Sequence, residues 1–312
     1  MTAADHHPVA AVVPYWLGRP ALEALEVARA AEAAGIGALW VGEMLSFDAF
    51  ALGGALARET SLHLTVGPLA VGVRTPVGIA MGVASLQALA GPERVAVALG
   101  ASTRAVTAGW HGRDWTRMPA RIAETADVVR RVLAGERTGH HGVLASEGFR
   151  LGMGASEVEV AVAAFGRRSL QVADETADRL VVNLVTPAQA GRLAEAVPGR
   201  PVTAWVVGAV DPSPEAVERI RRQVSLYLAA PGYGDMFTEA GFGDVVDEAR
   251  AGRPPSELAV PDALLHAVAA IGSADDVRES LDAYRAVGVT QVGVVPATDG
   301  DPGGARTLAA VA

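Results

Sequence analysis

The chain has 312 residues, half of them hydrophobic and a fifth charged, which supplies a large core and excludes a predominantly disordered chain. Its 26 basic residues are all arginine, and with 35 acidic residues they leave a formal net charge of -9; broad binding to nucleic acid or to an anionic membrane is excluded, while a local arginine cluster can still hold a small anion. There is no cysteine, so disulfides, thiolate metal sites and cysteine nucleophiles are ruled out.

No segment reaches the roughly 18–20 apolar residues of a membrane span. Met1 to Pro8 carries Asp5, His6 and His7 and no basic run, unlike a secretory leader. The expectation is a cytoplasmic protein.

Val9 to Val13 reads as a strand ended by Pro14, and Ala21 to Ala34 as a helix closed by Gly35. Ala38 to Val41 is a second strand, Asp48 to Arg58 a helix, and Leu62 to Val71 a third strand. Thr75-Pro76 opens the next helix, with threonine as cap and proline at the first helical position. Val95 to Leu99 is the fourth strand, and a helical face runs from Ile122 to Leu133. His141 to Leu151 reads as a hairpin insertion. Val158 to Ala163, Leu180 to Val182, Val202 to Val210 and Gln291 to Val295 complete eight strands. Helices fall over Arg168 to Ala177, after Thr186-Pro187, after Ser213-Pro214, and from Ser273 to Val287. Pro231 to Pro261 is an irregular excursion.

Strands alternating with helices predict an α/β fold, a (β/α)8 TIM barrel in one domain over residues 1–312. Insertions are expected at the C-terminal face, with residues 231–261 as a lid. An open doubly wound sheet is the alternative, and it lacks support from a G-x-G-x-x-G turn after the first strand. In barrels the chemistry sits at the C-terminal strand ends. That rule selects Tyr15 and Trp16, Glu43 and Met44, Ala70 to Arg74, Gly100 to Thr103, Gly166 to Ser169, and Asn183.

Gly166, Arg167, Arg168 and Ser169 join a strand end to a helix start, where free amides and two guanidiniums can cradle a phosphate; a plain strand-to-helix turn is the other reading. Trp110 and His111 offer a flat wall and a proton carrier, or simple packing. Glu43 is an acid–base candidate or a cap of the following turn. The pairs His6-His7 and His140-His141 lack a carboxylate at ligand spacing, so no metal is expected.

In order and spacing, several segments resemble the bacterial luciferase-like monooxygenase superfamily, in particular its actinobacterial branch using coenzyme F-420. They include Ala31 to Gly35, Leu39 to Glu43, Arg74 to Gly78, Ala98 to Ser102, Gly109 to Gly112, Ala163 to Gly166, Ala173 to Asp178 and Ala283 to Val289. The resemblance implies a deazaflavin or flavin ring across the barrel mouth. It implies a bulge with a non-prolyl cis peptide at Ala70-Val71-Gly72, and Gly100 and Ser102 beside the ring. The phosphate end would rest on Gly166 to Ser169. Many members carry histidine where this chain has Met44, which leaves His111 or Glu43 to handle a proton.

The implied function is F-420-dependent hydride transfer to or from a small apolar or aromatic substrate. Such a substrate would be lined by Tyr15, Trp16, Met44, Phe47 and Trp110, with Met236 and Phe237 from the excursion. An FMN-dependent monooxygenase is one alternative and a non-catalytic cofactor-binding paralogue another. A homodimer is the assembly left open.

Overall fold

Short runs of branched and small apolar residues make the strands. They are β1 (Val9–Val12), β2 (Ala38–Val41), β3 (His63–Ala70), β4 (Val95–Gly100), β5 (Gly139–His141), β6 (Ala145–Glu147), β7 (Glu159–Ala163), β8 (Arg179–Asn183), β9 (Val202–Val210), β10 (Ala269–Gly272) and β11 (Gln291–Pro296). The helices between them are α1 (Glu23–Ala33), α2 (Ala49–Glu59), α3 (Pro76–Ala90), α4 (Met118–Leu133), α5 (Arg167–Thr176), α6 (Pro187–Glu195), α7 (Pro214–Ser225), α8 (Tyr233–Glu239), α9 (Gly243–Arg250), α10 (Asp262–Val268), α11 (Ala274–Arg285) and α12 (Ala305–Val311). The structure, a computed structural model, describes residues 7–16, 18–43, 47–154 and 156–312.

The predicted caps are present. Thr75, Ser213 and Ser273 accept from the amides of Gly78, Ala216 and Asp276 at the starts of α3, α7 and α11. Each such cap contributes about 1 kcal/mol. Residues 231–261 depart from the predicted irregular excursion: they form α8, α9 and a 3-10 turn at Pro255–Glu257. Strand β10 was also not separable in the sequence, because no Gly or Pro divides it from α10.

In the sheet, β9, β11, β1, β2, β3, β4, β7 and β8 follow in hydrogen-bonded order, and β9 pairs again with β8. The fold is therefore the α/β (β/α)8 barrel, with β10 added parallel to the C-terminal half of β9. Hairpin β5–β6 is the separate antiparallel insertion.

The described residues pack as two compact units. The first comprises residues 38–181 and 196–201. Its parallel register sorts side chains onto two faces. Leu64, Val66, Val97, Leu99, Val160 and Val162 share one. Val66 meets the α2 backbone there, 3.6 Å from where a Cβ on Gly53 would lie. Thr65, Ala96, Ala98, Gly100, Ala161 and Ala163 share the other face.

Between Val66 and Leu69 the β3–β4 register slips, a bulge that returns Leu69 to the helix-facing side. The slip coincides with a cis Gly67-Pro68 bond. This corrects the expected site and kind of bulge: it lies inside β3 and is prolyl, and Ala70-Val71-Gly72 is an ordinary strand end and turn. Gly67 has φ 121° and a Cβ there would lie 2.2 Å from the Ala98 carbonyl oxygen, so only glycine fits.

The second unit comprises residues 7–37, 182–195 and 202–312. One hydrophobic cluster joins Trp16, Leu184 and Ala297, which follow the C-terminal ends of β1, β8 and β11, to Phe237 of α8 and to Ile220 and Val224 of α7. Gln189 Nε2 donates to the Met236 carbonyl (2.5 Å) and Arg192 pairs with Glu239 (2.7 Å), tying α8 to α6.

Two outcomes follow. Gly67→Ala should lower unfolding free energy by about 3 kcal/mol or more, combining steric overlap with a backbone conformation closed to alanine; urea unfolding measures it, and parent-like stability would show that β3 accommodates the methyl. In the hairpin, the Glu124 carboxylate accepts from Val143 N (3.0 Å) and Leu144 N (2.8 Å) and faces His140 Nε2 at 2.9 Å. Burial opposes its charge, but the Leu144 amide, His140 and the Val143 amide outweigh that and hold its carboxyl below the usual range. A depressed folded value means this tether is fully present above the ordinary glutamate value of about 4.3 and is lost as pH falls through the folded one. Hydrogen-exchange protection at Val143 and Leu144 should therefore fall selectively on acidification, and Glu124→Gln should remove that pH dependence.

Candidate active site

In the first unit the register sets Ala70 beside Gly100 and Gly100 beside Ala163. Three of the smallest side chains thus form one row at the C-terminal ends of β3, β4 and β7. Such a row leaves a flat strip of backbone and methyl groups. A Cβ on Gly100 would lie 3.2 Å from Pro68 Cβ and 3.5 Å from Ala163 Cβ, so the bulged segment and β7 close in on the row from both sides. Ala70 and Gly100 are predicted cofactor residues. Ala163 is not, although the small residues at alternate positions of β7 signal it.

Val71 and Gly72 serve the turn instead. Val71 is buried and its amide donates to the Gly100 carbonyl (3.1 Å). A Cβ on Gly72 would sit 2.6 Å from Thr107 Cγ2, so Gly72 lets the segment after β4 pack against the β3 turn.

Glu43 follows β2 and is held rather than free. Arg74 Nε donates to Glu43 Oε2 (2.8 Å), its Nη2 reaches both Glu43 Oε1 and Asp48, and the Ala49 amide donates to Glu43 Oε1 (3.2 Å). Asp48 also caps α2 through the amides of Phe50 (3.0 Å) and Ala51 (2.9 Å). The Arg74 guanidinium lies 5.2 Å from the centre of the Phe50 ring. Hydrogen bonding to Glu43 holds the Arg74 cation firmly charged, against the cost of burial. A carboxylate with both oxygens engaged this way is a poor proton carrier; Glu43 anchors the β3 turn to the start of α2.

After β4, Ser102 takes φ 57°, and Ala105–Trp110 form a π-helical turn ended by His111, a form frequent at functional sites. Trp110 is 57% exposed and His111 is exposed. This turn presents the Trp110 ring to solvent.

Most arginines are bonded to carboxylates or carbonyls, such as Arg130 to Asp178, Arg179 to Glu159 and Arg200 to the Asp174 carbonyl. Among the described residues, the side chains of Arg104, Arg113 and Arg117 after β4, of Arg167 and Arg168 after β7, and of Arg222 in α7 have no such partner. Strands β4 and β7 are neighbours; Arg167 and Arg168 open α5 directly after β7, while Arg104 precedes the π-helical turn in the β4–α4 connection, Arg113 follows it and Arg117 stands at the start of α4. Gly166 starts α5 with φ -79° and ψ 149° and no side-chain cap, and a Cβ there would meet nothing within 4 Å. The α5 amides are thus uncapped by side chains beside two unpaired arginines, and Ser169 is half-buried next to them. An anion suits this turn.

In the second unit Trp16 is core, correcting its expected place against substrate: it is 6% exposed and its indole N–H donates to the Pro296 carbonyl (2.9 Å). Phe237 is likewise fully buried, while Tyr15 is half-buried. Asn183, at the end of β8, hydrogen-bonds Tyr233, whose phenol burial pushes well above its ordinary range. Phe47 is half-buried, and Met44 lies outside the described residues. Among those residues no group of three His, Asp or Glu is placed to hold a metal ion, and no helix is long and apolar enough to cross a membrane.

Residues 4–291 match the luciferase-like monooxygenase family. The chain belongs to that family. It is accordingly an oxidoreductase. A Mycobacterium tuberculosis protein named as a coenzyme F-420-dependent oxidoreductase is 28% identical, the match covering 95% of this chain and 96% of that one. The F-420-dependent tetrahydromethanopterin reductase of Methanopyrus kandleri shares the fold at a TM-score of 0.81 and 17% identity, over 97% of both chains. The oxygenating constituent of 3,6-diketocamphane monooxygenase from Pseudomonas putida, solved with FMN, superposes at a TM-score of 0.70 with 19% identity, over 98% of this chain and 96% of that one.

The Glu43–Arg74–Asp48 cluster sets one outcome. Arg74→Ala should cost about 1–2 kcal/mol, less than a fully buried pair because solvent screens it. Arg74→Lys should not restore the loss, since an ammonium cannot make the forked contact. Thermal or urea unfolding decides it, and a parent-like Arg74→Ala protein would show the cluster to be only solvated charge.

Proposed function

We propose that this protein is a coenzyme F-420-dependent oxidoreductase that moves a hydride between the deazaflavin and a small apolar or aromatic organic substrate. The carrying observation is the open Gly166 turn with the unpaired Arg167 and Arg168 at the start of α5, in a chain of net charge -9. Unpaired cations beside free helix amides attract a polyanionic ligand. F-420 carries an oligoglutamate tail besides its phosphate, so it brings more negative charge than FMN. The relative from M. tuberculosis supports the same reading.

The residues fit such a group. The small-residue row Ala70, Gly100 and Ala163 accepts a flat ring, and the open Gly166 turn with Arg167, Arg168 and Ser169 accepts the phosphate. When bound, F-420 supplies hydride transfer, which the protein serves by position and by excluding water. In this reading Ser102 shapes the chain beside the ring. His111 handles the accompanying proton, the segment after β4 bringing it to the substrate. Helices α8 and α9 act as a lid over the strand ends of their own unit. The FMN-dependent monooxygenase remains the second reading, favoured by the FMN-bound structural neighbour.

Side-by-side titration with F-420 and FMN at low and moderate salt is the test. F-420 should bind more tightly and lose more affinity as salt rises. Arg167→Ala and Arg168→Ala should each weaken F-420 by about tenfold to a hundredfold, the equivalent of one charge-assisted hydrogen bond at about 1.5–3 kcal/mol. FMN bound tightly with F-420 ignored would replace this reading by the second one. With a substrate in hand, His111→Ala should cut turnover by about 10²–10⁴-fold and leave cofactor affinity intact.

A further inference from the structure

We propose that the Tyr233 phenol, set in place by Asn183, is the anchor for an oxygen atom of the substrate, which makes that substrate an apolar molecule bearing a carbonyl or a hydroxyl group. This rests on the hydride-transfer reading above and narrows its substrate class.

The residues concerned lie in the second unit. Asn183 is the single asparagine of the chain and the last residue of β8. It falls on the same side of that strand as Arg179 and Val181, and Val181 pairs with Ala163, on the side turned away from the helices. The residues that follow fix it there. Leu184 takes φ 52°, a costly conformation for leucine that is kept where position matters. Tyr284 Oη donates to the Val185 carbonyl (2.6 Å). The Thr186 amide donates to Gln189 Oε1 (3.0 Å), and the Gln189 amide to Thr186 Oγ1 (3.2 Å).

Tyr233 opens α8, and Tyr227 stands before it with the ring centres 4.8 Å apart and the planes at 64°. Both rings pack against the cluster of Leu184, Leu228 and Phe237, as do Phe242 and Ile271. Each phenol oxygen accepts from a side-chain amide, Tyr233 from Asn183 and Tyr227 from Gln223. Both tyrosines are half-buried and keep accessible surface. Even so, burial pushes the Tyr227 phenol up to about 12 and the Tyr233 phenol further above its ordinary range. A group crowded by protein yet still reachable stands in the wall of a recess.

Two consequences select the ligand. Because the Asn183 amide donates, the phenol's own hydrogen is aimed at another acceptor, and the raised ionisation keeps that hydrogen on the oxygen throughout the neutral range. A neutral donor in an apolar surround suits an uncharged acceptor on an otherwise apolar molecule. Such a site discriminates, because a ligand of the same shape without the oxygen covers the phenol and gives it no acceptor. Tyr227, edge-on beside it, adds flat apolar area for the rest of the molecule.

Acetophenone, 1-phenylethanol and ethylbenzene share a shape and differ in the oxygen. Ligand-observed NMR titration of the full chain with each probe, in the presence of F-420 and in its absence, is the test. The parent should bind the two oxygenated probes about tenfold more tightly than ethylbenzene. Tyr233→Phe should abolish that preference, leave ethylbenzene binding unchanged and keep the far-ultraviolet dichroism of the parent. Asn183→Ala should reduce the preference by less, as expected of a residue that acts through Tyr233. A parent that lacks the preference overturns the proposal, and so does a Tyr233→Phe protein that keeps it. Failure of F-420 to bind strikes the cofactor reading instead, since the preference is also read without cofactor.

Discussion

Parallel pairing of β2, β3, β4 and β7 decides which side chains share a face, and the strand ends inherit that sorting. Branched residues go to the side that meets the helices, where their burial drives folding. Alanine and glycine go to the other side. The bulge at Val66–Leu69 preserves the sorting through the end of β3, because without the extra residue Ala70 and Leu69 would exchange faces. The row of Ala70, Gly100 and Ala163 is therefore a consequence of register.

Charge is organised by the same economy of partners. A chain without lysine uses arginine throughout, and a guanidinium makes several directed bonds at once. Arg74 joins Glu43 to Asp48, Arg130 joins the Thr176 carbonyl to Asp178, and Arg94 reaches the carbonyls of Thr60, Leu62 and Ala90. Against that background, the unpaired Arg167 and Arg168 beside the uncapped start of α5 stand out. Four of the described non-glycine residues have positive φ: Ser102, Arg117, Leu184 and Asp211. Ser102, Leu184 and Asp211 closely follow the C-terminal ends of β4, β8 and β9, where backbone strain commonly accompanies function, and Arg117 opens α4.

What the sequence made legible was local. Thr75-Pro76 and Ser213-Pro214 marked helix starts because capping needs only neighbours within one turn. The Gly166–Ser169 turn was visible for the same reason. What escaped depends on partners far along the chain. Glu43 looked like an acid until Arg74, 31 positions on, took both its oxygens. Trp16 looked like a pocket wall until its indole met the Pro296 carbonyl, 280 positions away. The Gly67-Pro68 pair sat inside an apolar run that periodicity reads as uninterrupted strand, so the bulge was expected three residues late. Ala163 was hidden because a small residue carries no chemistry by itself and matters only through the Gly100 beside it.

The central claim is that this row of small residues is the floor on which a flat ring lies. Ala163→Leu tests it most directly. The position is half-buried at a strand end, so a longer side chain can extend over the row without disrupting the core. The variant should unfold at nearly the parent temperature and lose F-420 affinity by about a hundredfold or more in a fluorescence titration, since overlap with the ring forfeits its stacking contacts. A stable Ala163→Leu protein that binds F-420 and FMN as the parent does would contradict the claim.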